Sequence, residues 1–114
     1  MIERIDTLCM IVSDIERSAR WYEKTLGFTV VFTGDDYRVL QVGEGSVPLT
    51  IEEGDVSSNT NHTYPIFFSK DSKKLHNQLE ASGVNVSDLH NDGVNQFFNF
   101  YDPDGNKLQV CYFE

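Results

Sequence analysis

The feature that most constrains this chain is that it is built as two copies of one unit. The stretches "VSDIERSARWYEKTLGFTV" (12–30) and "FSKDSKKLHNQLEASGVNV" (68–86) share a layout. Each has a strand end, an Asp, about three helical turns, a Gly and a β-rich resumption. Asp14 and Asp71 lie 57 positions apart, and Gly27 and Gly83 lie 56 apart, about half of the 114 residues. Ile15, Ala19, Tyr22 and Leu26 recur at i, i+4, i+7 and i+11, which is one face of a helix. Ser13 with Glu16 predicts a capping box there, and Gly27 the stop. In the second copy Asp71 is the expected cap, Leu75 and Leu79 mark the apolar face, and Gly83 ends the helix. Identity between the halves is slight, so what repeats is the architecture.

Strands complete each copy. The first reads as strands at 3–12, 28–33, 37–42 and 47–53, with "GEGS" as a turn. The second reads as 63–69, 84–90, 95–101 and 106–113, with "NDG" and "DPDG" as turns. Module one is expected over 1–53 and module two over 63–114. The linker over 54–62 contains the polar run "GDVSSNTN". The order is therefore βαβββ twice, an α+β class within a length that suits one domain. A four-stranded sheet carrying one helix has one face covered. Its other face must be buried elsewhere or line a cavity.

Charge narrows the partners. The net charge of −9 opposes nucleic acid, whose binding rests on Lys and Arg neutralising phosphates. A cationic small ligand is favoured over an anionic one, although acidic surfaces ordinarily serve solubility. Two cysteines without Cys-x-x-C spacing give neither a zinc signature nor a disulfide framework. "MIERIDT" puts charges where a signal peptide has its apolar core. No apolar run approaches the roughly 18 residues of a membrane span, so no membrane partner and a cytoplasmic setting are expected.

Two elements carry a resemblance. "V-x-D-x-x-x-x-x-x-x-Y-x-x-x-L-G-F" runs from Val12 to Phe28, and "DPDGN" spans 102–106. With the repeat, they resemble the vicinal oxygen chelate superfamily, which includes glyoxalase I, extradiol dioxygenases, fosfomycin-resistance enzymes and bleomycin-resistance proteins. The resemblance covers essentially the whole chain. It implies two βαβββ modules forming a curved, cavity-enclosing mixed sheet, often across a dimer interface. A homodimer is also expected because free sheet edges tend to pair or be covered.

Metal-using members of that family place His, Glu or Gln on inward positions of the first and last strands of each module. Carried over, those positions are Thr7, seven before Asp14; Thr50, with Glu52 as the next inward neighbour; Tyr64, seven before Asp71; and Gln109, four beyond Gly105. Divalent transition ions are held by imidazole, thiolate and carboxylate. Four neutral hydroxyl and amide groups make a poor substitute, so no metal and no cofactor are expected. The competing arrangement uses Cys9 and Cys111, each two residues further along its strand and so on the same inward face, with Glu52 or His62. The ordinary reading is that a free Cys behaves as a small hydrophobe and His62 as a linker residue. His76 and His90 read as surface residues.

No Gly-x-Ser-x-Gly elbow and no phosphate-binding Gly loop occurs. Glu52 is the one candidate for a general base. The predicted ligand-binding set is Thr7, Cys9, Thr50, Glu52, Tyr64, Phe68, Gln109 and Cys111, with Ile66 beside them. Phe97 and Phe98 supply one further wall residue that alternation alone leaves unassigned. Apolar walls with a few polar groups describe an organic-ligand pocket. The expectation is a metal-free protein that sequesters an aromatic or cationic compound, similar to bleomycin-resistance proteins. The alternative is a divergent lyase, isomerase or dioxygenase working through an atypical metal site or through Glu52. A purely structural dimerisation module gives the inward polar set no role.

Overall fold

Burial of one sheet face against one helix organises each half of the molecule. The computed structural model describes all residues, Met1–Glu114. The first half holds β1 (Leu8–Val12), α1 (Ile15–Leu26), β2 (Thr29–Thr33), β3 (Tyr37–Gln41) and β4 (Leu49–Glu53), followed by a 3-10 turn at Val56–Ser58. The second holds β5 (Ile66–Phe68), α2 (Ser72–Ala81), β6 (His90–Asn91), β7 (Gln96–Tyr101) and β8 (Lys107–Tyr112). The chain divides into two compact units, Met1–Asn59 and Thr60–Glu114. Each unit has its own mixed four-stranded sheet, ordered β1-β4-β3-β2 and β5-β8-β7-β6. In both, the first strand pairs in parallel with the last, so a crossover is obligatory, and the helix provides it.

In the first unit, Val12, Leu40, Leu49 and Ile51 from the sheet meet Ile15, Ala19 and Tyr22 from α1, all buried. In the second, Phe98, Phe100, Leu108 and Val110 are buried on the α2 side, as is Leu79 of the helix. Each large apolar side chain removed from water contributes about 1.5–3 kcal/mol. The Arg38–Glu16 ion pair, whose carboxylate stands largely in solvent, is worth about 0–1 kcal/mol by comparison. Apolar burial therefore sets which face of each sheet turns inward.

The helix limits follow the sequence, with one correction at the start of α1. Ser13 and Glu16 do not form a capping box. Asp14 is the cap, its Oδ1 accepting from the Arg17 N–H at 3.0 Å. Glu53, at the end of β4, accepts the Ile15 N–H at 3.1 Å. A carboxylate from a distant strand thus takes an N–H that local sequence would assign to solvent. Gly27 ends α1 at φ 72°, a left-handed conformation that a side chain resists. Asp71 caps α2 by position without a side-chain hydrogen bond.

Three strands are much shorter than the sequence suggests, and the others differ by a residue or two at their ends. The strand expected over 3–12 begins at Leu8, and the one expected over 63–69 is only Ile66–Phe68. Proline is the reason in these two. Pro48 and Pro65 offer carbonyls, to Leu8 N at 3.3 Å and Gln109 N at 3.1 Å, but have no N–H to carry the ladder further. The strand expected over 84–90 survives as one isolated bridge, Val86 to Phe100, and as His90–Asn91. Between them the Ser87 hydroxyl accepts the Asn99 N–H at 2.9 Å and replaces a ladder bond. The presumed linker is tied down at both ends. Gly54 N and Asn59 Nδ2 bond to β1 carbonyls, and Asn61 brackets the 102–106 turn through Gly105 O and Lys107 N.

The capping correction has a measurable consequence. Asp14→Ala should lower unfolding free energy by about 1 kcal/mol in urea, whereas Ser13→Ala should change it by less than about 0.5 kcal/mol. A loss at Ser13 equal to that at Asp14 would restore the capping box.

Candidate functional site

Because each helix buries one sheet face, strand alternation puts a second set of side chains on the opposite, open face. In the first unit the registers Cys9 to Thr50 and Thr50 to Val39, with Ile11 to Glu52 and Glu52 to Tyr37, define that face. Thr7 continues it at the start of β1. Glu53 belongs to the helix side, and Glu52 to the open side. Phe32, opposite Val39 after a bulge in β2, stacks on Tyr37 with ring centroids 5.8 Å apart.

Thr7 and Thr50 meet. Their hydroxyl oxygens are 2.8 Å apart, and Thr7 Oγ1 also lies 2.9 Å from the Pro48 carbonyl oxygen. A hydroxyl has one proton. If Thr7 donates to Pro48, Thr50 donates to Thr7, and Thr50 is buried in that contact. Cys9 is an exposed, free thiol. Partial burial of its sulfur, and secondarily the Glu52 carboxylate, push its pKa above the ordinary thiol value.

In the second unit, Ile66 to Gln109, Gln109 to Asn99, Phe68 to Cys111 and Cys111 to Phe97 define the open face. Of the two adjacent phenylalanines, Phe98 is core and Phe97 is open-face. Gln109 Nε2 donates to Asn99 Oδ1 at 2.9 Å. The Lys107 ammonium sits 4.0 Å from the centre of the Tyr64 ring, a cation–π contact. The Cys111 thiol donates weakly to Asn95 Oδ1 at 3.6 Å. Ile66 and Phe68 are more than half exposed, at 57 % and 53 %.

Of the histidines, His90 continues the second open face, opposite Phe97 across the β6–β7 register. His62 is exposed, in the segment before β5. His76 bonds Ser87 O at 2.7 Å and packs edge-on against the core Phe98, and His90 is an exposed neighbour of Phe97. Cys9 belongs to the first sheet and Cys111 to the second, and both are free thiols. Within neither unit do three His, Cys, Asp or Glu side chains converge. The residues that the resemblance assigns to the family's ligand positions do not fit a divalent cation. Two are hydroxyls bonded to one another, one is an amide bonded to a second amide, and one is a phenol whose ring already carries an ammonium.

Among the open-face residues that sequence reasoning did not assign to that face are Tyr37 and Phe32 in the first unit and Asn99, Lys107 and His90 in the second. Counting by twos back from Tyr101 would have found Asn99, and back from Gln109 would have found Lys107.

Comparison with known proteins gives a consistent kinship. The family model for the Glyoxalase/Bleomycin resistance protein/Dioxygenase superfamily matches residues 4–110. Among curated proteins, glutathione transferase FosA of Serratia marcescens is 27% identical over 116 residues, covering 96% of this chain and 81% of that protein. Among solved structures, TnmS3, an antibiotic binding protein from Streptomyces sp. CB03234, superposes with a TM-score of 0.84 at 19% identity. That match covers 99% of this chain and 98% of the other. The fosfomycin resistance protein FosX from Listeria monocytogenes, in complex with Mn(II) and sulfate, superposes with a TM-score of 0.83 at 15% identity. It covers 100% of this chain and 93% of its own. The structural likenesses establish a shared fold.

The thiol offers a direct check on the first open face. Peptide-resolved iodoacetamide labelling should give Cys9 a rate–pH midpoint above that of a free cysteine. Glu52→Gln should move the midpoint down, since removing a negative neighbour favours the thiolate, but burial should keep it above the ordinary value. A midpoint unmoved by that substitution would separate Glu52 from Cys9.

Proposed function

Since the chain belongs to the Glyoxalase/Bleomycin resistance protein/Dioxygenase superfamily, we propose that it binds and sequesters a small organic compound without a metal ion and without turning it over. The observation that carries this reading is the state of the four positions at which metal-using members hold their ion. Thr7 and Thr50 satisfy each other, Gln109 is paired with Asn99, and Tyr64 is matched to Lys107. These uncharged groups lie on sheet faces that also carry Ile66, Phe68, Phe97 and Tyr37. That mixture suits an organic ligand, with apolar area for binding and a few polar atoms for orientation. The likeness to an antibiotic binding protein and to fosfomycin resistance proteins supports a role of resistance type.

The reading extends to assembly. Large apolar side chains stand exposed in both units, among them Phe32 at 55% and Phe68 at 53%. A second copy of the chain would cover such surface in a two-fold dimer. No helix is long and apolar enough to cross a membrane, and a cytoplasmic place is part of the proposal.

Chelator-stripped protein should be stabilised by bicyclic aromatic compounds to the same extent with and without EDTA. A compound at about 100 times its Kd adds about 2.7 kcal/mol, which a thermal-shift scan resolves. Stabilisation only after Mn²⁺ or Zn²⁺ is added, or conversion of the compound during incubation, would overturn the reading. For assembly, sedimentation equilibrium at micromolar concentration should give twice the 13.0 kDa of one chain. A single 13.0 kDa species would remove the dimer.

A further inference from the structure

The open face of the second sheet is ordered in three rows that run across β5, β8 and β7. At one end Tyr64, Lys107 and Tyr101 stand side by side. At the other end are Phe68, Cys111 and Phe97. Between these two aromatic rows lies Ile66, Gln109 and Asn99. The polar atoms of the middle row are therefore framed by rings. Three strands at their usual spacing span roughly 10 Å, about the size of a fused bicyclic ring system.

The middle row has a particular hydrogen-bonding character. A primary amide carries one acceptor oxygen and a two-proton donor nitrogen. Gln109 Nε2 donates to Asn99 Oδ1, which leaves the Gln109 oxygen as an acceptor and the Asn99 nitrogen as a donor. Exchanging oxygen and nitrogen on both side chains reverses the internal bond and leaves the same inventory, one uncommitted carbonyl oxygen and one uncommitted NH2 group, beside the second proton of the bonding NH2. The pair is also held in place. The Asn99 N–H bonds the Ser87 hydroxyl at 2.9 Å, its carbonyl takes the Ser87 N–H at 2.8 Å, and Gln109 N bonds Pro65 O at 3.1 Å. Both side chains sit on the two central strands of the sheet.

We propose that the Asn99–Gln109 amide pair makes the second sheet's open face selective for planar compounds with a cyclic-amide edge. Such a lactam or imide presents an N–H beside a C=O. The N–H meets the free acceptor and the C=O the free donor, while the ring system covers Phe97 and its neighbours. Lys107 disfavours a cationic ring on this sheet, which narrows the aromatic-or-cationic expectation to neutral or anionic compounds here. The proposal rests on the binding function above and deepens it by naming the ligand class.

The test compares isoquinolin-1(2H)-one with its N-methyl derivative, which keeps ring and carbonyl but lacks the N–H. Their dissociation constants are measured by NMR titration on the full-length, chelator-stripped protein. The N–H lactam should bind roughly tenfold tighter than the N-methyl compound. In Asn99→Leu that ratio should fall towards one, with native far-ultraviolet circular dichroism as the control. Equal binding of the two lactams by the wild-type protein overturns the proposal, and that arm needs no variant. If neither lactam binds while amide-free aromatic compounds do, the proposal falls and the sequestration reading stands. If no aromatic compound binds, both fall. Asn99→Leu abolishing a dimer without any lactam preference would assign the amide pair to a second copy of the chain, again overturning it.

Discussion

Everything distinctive in this protein depends on the inequivalence of the two faces of each four-stranded sheet. One helix per sheet buries one set of alternate side chains, Leu40, Leu49 and Ile51 in the first unit and Phe98, Phe100, Leu108 and Val110 in the second. With a strand period of two, that burial leaves no choice about where the intervening residues point. A slip by one residue would drive Thr50 and Gln109 into the cores and expose Ile51 and Val110. Several kcal/mol of apolar burial on each sheet oppose such a slip. The chemistry of the open faces is thus held in place by interactions on the other side of the sheet.

What those faces can do follows from charge. A divalent ion needs anionic or strongly basic donors aimed at one point, supported by groups that orient them. Here the side chains carried over by resemblance to those positions are each engaged with a neighbour on their own sheet. The Thr7–Thr50 contact and the Asn99–Gln109 contact are both internal pairs of neutral groups. Each removes the need for an ion to neutralise repulsion and leaves hydrogen-bonding capacity for a neutral molecule. Lys107 over Tyr64 adds a cation to the second open face. The fold is that of the Glyoxalase/Bleomycin resistance protein/Dioxygenase superfamily, and the proposed recognition role rests on these uncharged pairs.

Much of the architecture was legible because it is written in local patterns. The duplicated Asp–helix–Gly layout, the Gly27 stop and the face shared by Thr7, Cys9, Thr50 and Glu52 need only periodicity. What the sequence concealed depends on contacts between distant residues. Nothing near Ser13 shows that Glu53, thirty-eight positions after Ile15, supplies an acceptor to the first turn of α1. Pro48 and Pro65 are visible, but their effect on strand length depends on which neighbour they face. Ser87 breaks up the strand before β7 through a hydroxyl bond to Asn99. The pairing of Asn99 with Gln109 needs the β7–β8 register, so the most informative polar pair of the second unit escaped a residue-by-residue reading.

The most direct measurement is a ¹H–¹⁵N NMR titration of the chelator-stripped protein with a neutral bicyclic aromatic compound, following backbone and side-chain amides together. The account predicts that perturbations concentrate on open-face positions, with the Asn99 and Gln109 side-chain amides among the largest, in the absence of any divalent ion. Shifts confined to the α2 groove around Lys70, Lys73 and Tyr112, or shifts that arise only when a divalent metal is supplied, would contradict it.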